Sequence, residues 1–156
     1  MDYQNYAMGK WVSGDGDGTP LFNAITGTEI GSANSKGLDF GQMMEYSRKV
    51  GSPVLRKMTF QQRGLMLKAL ALYLHGIKGK FYELSAATGA TKIDSWIDIE
   101  GGIGNLFANA SLRKQFPDLP YYVDGEAAKL SKEGTFIGHH IMVPKEGVAI
   151  HINAFN

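Results

Sequence analysis

The feature that most constrains this chain is its final run, Gly147-Val-Ala-Ile-His-Ile-Asn-Ala-Phe-Asn156. Val148, Ala149, Ile150 and Ile152 form a short apolar stretch behind a glycine, the pattern of a strand buried on both faces of a parallel sheet. Such a strand needs covering helices, neighbouring strands and a crossover connection. The expectation is a core that this run opens, as in a domain cut off at its first central strand.

Upstream, Lys10-Trp11-Val12 and Leu21-Phe22-Asn23-Ala24-Ile25 flank a Gly/Asp cluster, Ser13 to Pro20, and read as one β-hairpin across that cluster. Thr26-Gly27-Thr28-Glu29 forms a second turn. Asp15, Asp17 and Gly18 are better turn residues than calcium ligands. A calcium loop opened by Asp15 would place Thr26 where a bidentate carboxylate is required.

Helices occupy the middle of the chain. Phe40, Met43, Met44 and Tyr46 repeat at helical spacing, with Gly51-Ser52-Pro53 as the stop. Thr59 and Gln62 form a capping box before the stripe Leu67, Leu70, Ala71, Leu74 and Ile77. A shorter helix over 80–88 carries Phe81, Leu84 and Ala87, with Gly89 as its C-terminal cap. Thr91 and Asp94 cap the next helix, whose apolar face runs through Ile93, Trp96, Ile97, Ile103, Leu106, Phe107 and Ala110. Gly101, Gly102 and Gly104 lie inside it, each less favourable than alanine by about 1 kcal/mol, so close approach of another element is expected there. Residues 116–133 read as irregular, and Thr135 to Val143 as a strand that Pro144-Lys-Glu-Gly147 turns into the terminal run.

The chain of 156 residues, with 44% hydrophobic and 20% charged residues, has the composition of one ordinary globular domain. A net charge of +1 gives no electrostatic case for nucleic acid or an anionic membrane. No apolar run reaches transmembrane length, and Met1-Asp-Tyr-Gln-Asn-Tyr lacks the regions of a signal peptide, so a cytoplasmic protein is the expectation. There is no cysteine, which excludes disulfides, thiolate metal sites and a cysteine nucleophile within these residues. His139 and His140 are adjacent, point to opposite faces of a strand and cannot readily share an ion, so no metal is expected. His151 reads as a core histidine, and Glu100 as the cap of a neighbouring backbone or the partner of an arginine rather than a base.

Ala154-Phe155-Asn156, behind a Gly-Val-x-Ile-x-Ile run, resembles the Pro-Trp-Asn segment of the aldehyde dehydrogenase superfamily. Asn153-Ala154-Phe155 stand where that superfamily more often has an apolar residue, Pro and Trp. Met58-Thr59-Phe60 and the stretch from Ala90 to Gly104 extend the resemblance, which runs from Gly9 to Asn156. It looks most like the bifunctional ring-opening enzymes of phenylacetate degradation, an oxepin-CoA hydrolase fused to a semialdehyde dehydrogenase.

The resemblance implies an α/β fold, the N-terminal part of the aldehyde dehydrogenase fold. Its parts would be a hairpin over 8–33, helices over 37–115, an irregular 116–133, and an antiparallel arm strand with the first strand of a Rossmann-like sheet over 134–156. It implies Asn156 as the catalytic oxyanion donor, and Ile152, Asn153, Ala154 and Phe155 beside the nicotinamide end of NAD or NADP. It further implies a CoA-linked aldehyde as substrate, and a homo-oligomer built through the 135–143 strand, where Phe136, Ile137, Ile141 and Met142 meet a partner chain. The family's thiolate and its general-base glutamate would lie outside these residues, leaving the segment inactive alone. Competing readings are a non-catalytic module for CoA binding or assembly, and an aldehyde dehydrogenase of different substrate.

Overall fold

The computed structural model describes residues 2–153, and the fold is mixed α/β. Ala154, Phe155 and Asn156 lie outside the described residues.

Five short strands open the chain: β1 (Asp2–Tyr3), β2 (Asn5–Ala7), β3 (Lys10–Val12), β4 (Thr19–Phe22) and β5 (Glu29–Ala33). The hairpin expected across the Gly/Asp cluster does not form. β3 pairs instead with β2, around a turn in which Met8 and Gly9 both adopt positive φ. β4 pairs with β5 around the Thr26-Gly27-Thr28 turn, and β1 joins β5 in parallel. The cluster between them is a loop wrapped on Asn34, whose side-chain amide donates to the carbonyls of Asp15, Gly16 and Asp17 at 2.8, 3.3 and 3.3 Å. The two-residue Met8-Gly9 turn closes with less loss of chain entropy than the six residues between β3 and β4, so β3 takes β2 as its partner.

The helices are α1 (Phe40–Tyr46), α2 (Ser52–Lys57), α3 (Phe60–Gly76), α4 (Lys78–Ala87) and α5 (Lys92–Ser111). Gly51-Ser52-Pro53 does not end the helical path. A π-helical turn over Ser47–Gly51 leads directly into α2, with Pro53 in its first turn, where a missing N–H is harmless. Both capping boxes form: Thr59 Oγ1 accepts from Gln62 N at 3.2 Å, and Thr91 Oγ1 accepts from Asp94 N at 3.2 Å.

Helices α3 and α5 pack against each other, with Gly64 and Ala71 buried on α3 and Ile103 and Ala110 buried on α5. The close approach falls at Gly64, where a Cβ would stand 2.7 Å from Arg113 Cδ and 2.9 Å from the Ala110 carbonyl oxygen. Gly101, Gly102 and Gly104, the expected contact, face open space with nothing within 4 Å of a Cβ. Much of the apolar face expected on α5 is also uncovered, with Ile93, Trp96 and Ile97 all exposed.

Beyond a 3-10 turn at Leu112–Gln115, the segment expected to be irregular contains β6 (Tyr122–Lys129), paired antiparallel with β7 (Ile137–Met142). Gly125-Glu-Ala-Ala128 has weak strand propensity and no alternation. The register shifts between Asp124 and Ala128, so β6 is a bulged strand recruited by β7. The terminal run differs from the central strand expected of it: residues 148–153 carry no strand assignment, with Ile150 and Ile152 73% and 93% exposed. A strand of this kind exists only where neighbours offer partners. No described strand lies alongside.

The chain exposes 12047 Å². A compact monomer of 17.0 kDa would expose about 7,700 Å², so roughly 4,300 Å² is surplus. Correspondingly, the buried apolar residues among those described are Ala7, Ala71, Ile103 and Ala110, none of them an aromatic.

Candidate functional site

A concavity lies where the helical layer meets the start of the terminal run. A cleft of about 800 Å³ is floored by Leu55 and Phe60, flanked by Tyr46 and Arg63, and walled by the extended segment 142–149. The start of α3 is fixed there by several contacts. Phe60 N donates to Leu119 O at 3.1 Å, and the Phe60 ring stacks on Phe116 at 4.5 Å between centroids. Phe116 meets Tyr122 edge-on at 5.5 Å, tying α3 to the root of β6. Gln61 Nε2 donates to the carbonyls of Arg113 and Phe116 at 2.8 and 3.1 Å. Arg63 lies 4.6 Å over the Phe60 ring and donates to the Met58 carbonyl at 2.6 Å, so its cation is held by a π face and a helix end together.

Arg56 Nη1 donates to Glu146 Oε2 at 2.9 Å, joining α2 to the wall across 90 residues of sequence. The wall leads into the residues that the resemblance singles out. Ile152 and Asn153 follow it, exposed and outside any strand, and the wall ends three positions before Ile152. Ala154, Phe155 and Asn156 lie outside the described residues, so no geometry relates them to the cleft.

Glu100 is placed between α4 and α5. Lys78 Nζ donates to its carboxylate at 2.6 Å and Tyr82 Oη at 3.3 Å. The Lys78 hydrogen bond holds the Glu100 carboxyl below the usual carboxylate range, against the opposing effect of desolvation. Desolvation and, next, the Glu100 charge push the Tyr82 phenol up. A carboxylate held by a cation and a phenol on one oxygen ties the helices together, and its lowered pKa makes it a weak base. Ser95, buried on the same helix, shares a 2.8 Å hydrogen bond with Ser85. His139 and His140 are both exposed on β7, and His140 stands opposite Asp124. His151, expected in a core, is exposed. Among the described residues no group of three His, Asp or Glu side chains is arranged to hold a metal ion. Among them, too, no helix is long and apolar enough to cross a membrane.

Arg56, Arg63 and Glu146 escaped sequence reasoning. Phe60 and Arg63 at i and i+3 could have signalled a cation–π pair, but nothing local links Arg56 to Glu146.

No known family profile matches the chain. Over its whole length it is 31% identical to the 3,4-dehydroadipyl-CoA semialdehyde dehydrogenase of Aromatoleum evansii, and it spans about 30% of that enzyme. The similarity runs from end to end of this chain and covers only that share of the relative.

Proposed function

We propose that this chain is the N-terminal portion of a nicotinamide-dependent aldehyde dehydrogenase that oxidises a CoA-linked semialdehyde, with phenylacetate degradation as its setting. The similarity to the Aromatoleum enzyme over every part of the chain carries this reading. The open faces of α3 and α5 support it, since a layer with surplus surface on this scale is stable when more protein covers it.

In this reading Asn156 donates its side-chain amide to the oxygen of the aldehyde as that oxygen gains charge. The nucleophile belongs to another part of the protein, because the chain has no cysteine. NAD or NADP would accept the hydride, with Ile152, Asn153, Ala154 and Phe155 beside its nicotinamide end. The residues Gly101-Gly102-Ile103-Gly104 sit within α5 and not between a strand and a helix, so they are not a phosphate cradle. The pyrophosphate contacts therefore fall to other residues. The β6–β7 ribbon, with Ile137, Ile141 and Met142 exposed, serves as the arm through which subunits assemble. A two-stranded ribbon is marginal by itself and gains most from a partner.

The test is a pair of assays with a CoA-linked semialdehyde. The 156-residue chain alone should give no NAD(P)-dependent oxidation. The protein that continues through this reading frame should oxidise it, and Asn156→Ala should lower kcat on the order of 10²-fold, as loss of an oxyanion donor does. Turnover by the chain alone, or full activity in the Asn156→Ala enzyme, would overturn the proposal.

A further inference from the structure

We propose that the cleft beneath the 142–149 segment binds a small amphipathic anion, and that Glu146 occupies the anion's place on Arg56 when the cleft is empty. The proposal stands apart from the dehydrogenase reading and shares with it only Met142, at the start of the 142–149 segment.

Three observations carry it. The cleft, at about 800 Å³, is in the size range of small-molecule sites, and its floor of Leu55 and Phe60, with Met142 on the wall, suits a hydrocarbon or ring. Its charged lining is unbalanced: Arg56, Arg63 and Lys145 stand against Glu146 alone. An apolar floor beneath excess positive charge selects an acid over an amine or a neutral molecule. Finally, a carboxylate already sits at the cation. Glu146 Oε2 meets Arg56 Nη1 at 2.9 Å, brought there by a segment without strand pairing. A guanidinium has five N–H donors, and one carboxylate oxygen does not exhaust it. The pair is also open, with the two side chains 43% and 68% exposed, so an incoming carboxylate displaces Glu146 at little cost.

The competition gives the two ends of one ion pair opposite effects. Removing the Glu146 charge frees Arg56 for the ligand; removing the Arg56 charge abolishes the anchor. A pair that merely holds the segment down predicts the same effect from both.

The probe is hexanoate, titrated into the 156-residue chain at low ionic strength and followed by backbone amide shifts of cleft residues, with 1-hexanol and hexylamine as controls. Hexanoate should saturate and the controls should not. Glu146→Gln should tighten hexanoate about three- to fivefold, the scale of an exposed ion pair. Arg56→Gln should weaken it by at least as much, while Arg56→Lys, which keeps the charge, retains most of the binding. Unshifted amides at the Thr59 cap would certify the fold of each variant. Equal response to hexanoate and 1-hexanol, loss of binding in Glu146→Gln, or no saturation by the unaltered chain would each overturn the proposal.

Discussion

Gly64 and Gly104 are both helical glycines, and the structure assigns them opposite responses to one methyl group. In a helix, Gly→Ala is worth about 1 kcal/mol of stability, because alanine has less backbone freedom to lose. At Gly104 nothing lies within 4 Å of the added carbon, so Gly104→Ala should keep that gain whole. At Gly64 the methyl would stand 2.8 Å from Arg113 Cβ and 2.9 Å from Ala110 O. Ala110 lies in the last turn of α5 and Arg113 in the 3-10 turn after it, and hydrogen bonds from Gln61 to Arg113 O at 2.8 Å and from Arg113 to Ala110 O at 2.7 Å pin the two. The methyl can enter only if the helices part, and overpacking of this kind costs about 1–3 kcal/mol. Gly64→Ala should therefore be neutral to destabilising by about 2 kcal/mol. With roughly 2–4 °C per kcal/mol for a chain of this length, the two variants should differ by several degrees in Tm. Thermal and urea unfolding followed by far-UV circular dichroism measures it. A Gly64→Ala variant as stable as Gly104→Ala would refute the claim that this glycine sets the helix separation.

Thr59→Ala removes the reciprocal cap at the start of α3 and should cost about 1 kcal/mol, read as a lower urea midpoint with unchanged slope. Because Glu100 has a depressed pKa when folded, its contribution is present above the unfolded value of about 4.3 and is lost as pH falls through the folded value. Glu100→Gln should flatten the acid limb of the stability profile; an unchanged limb would exclude the Lys78 contact as its cause. The same variant should move the raised Tyr82 phenol partway back, leaving the share due to desolvation, as absorbance at 295 nm would show. Asn34→Ala should leave the carbonyls of Asp15 to Asp17 without their shared donor and speed amide exchange across 13–18, while β6 and β7 are unaffected.

What could be read from the sequence was local. The caps at Thr59 and Thr91, the left-handed Gly89 and the turn at Thr26–Thr28 each depend on residues within a few positions of one another, and the structure has all of them. Pairings were less legible. The short strands at 10–12 and 21–25 seemed to face each other across the Gly/Asp cluster, but adjacent partners of equal quality existed on either side. β6 was invisible because a strand containing Gly-Glu-Ala-Ala is strand only by virtue of β7. The cleft depends on Arg56 meeting Glu146 across 90 positions, a separation at which no periodicity operates. Of the residues expected to touch a cofactor, Ile152 and Asn153 are exposed and outside any strand, and Ala154, Phe155 and Asn156 lie outside the described residues.

The helix α3 shows why a sequence can declare a helix correctly and still misstate its surroundings. One side of it, Gly64, Leu67, Ala71 and Leu74, is the stripe a surface helix would turn to its core. The other side mixes exposed Lys68 and His75 with large apolar residues: Leu65, Met66, Leu72 and Tyr73 stand 53%, 44%, 55% and 65% exposed. A helix with large apolar side chains on both sides has more than one surface to cover. On α5 the face turned from α3 likewise carries Ile93, Ile97, Gly101 and Gly104, with the glycines leaving room for a neighbour's backbone. The two helices thus have the chemistry of a middle layer, contacted on both sides. Contact on both sides accounts by one cause for the surplus surface, the small buried set and the lack of strand pairing over 148–153.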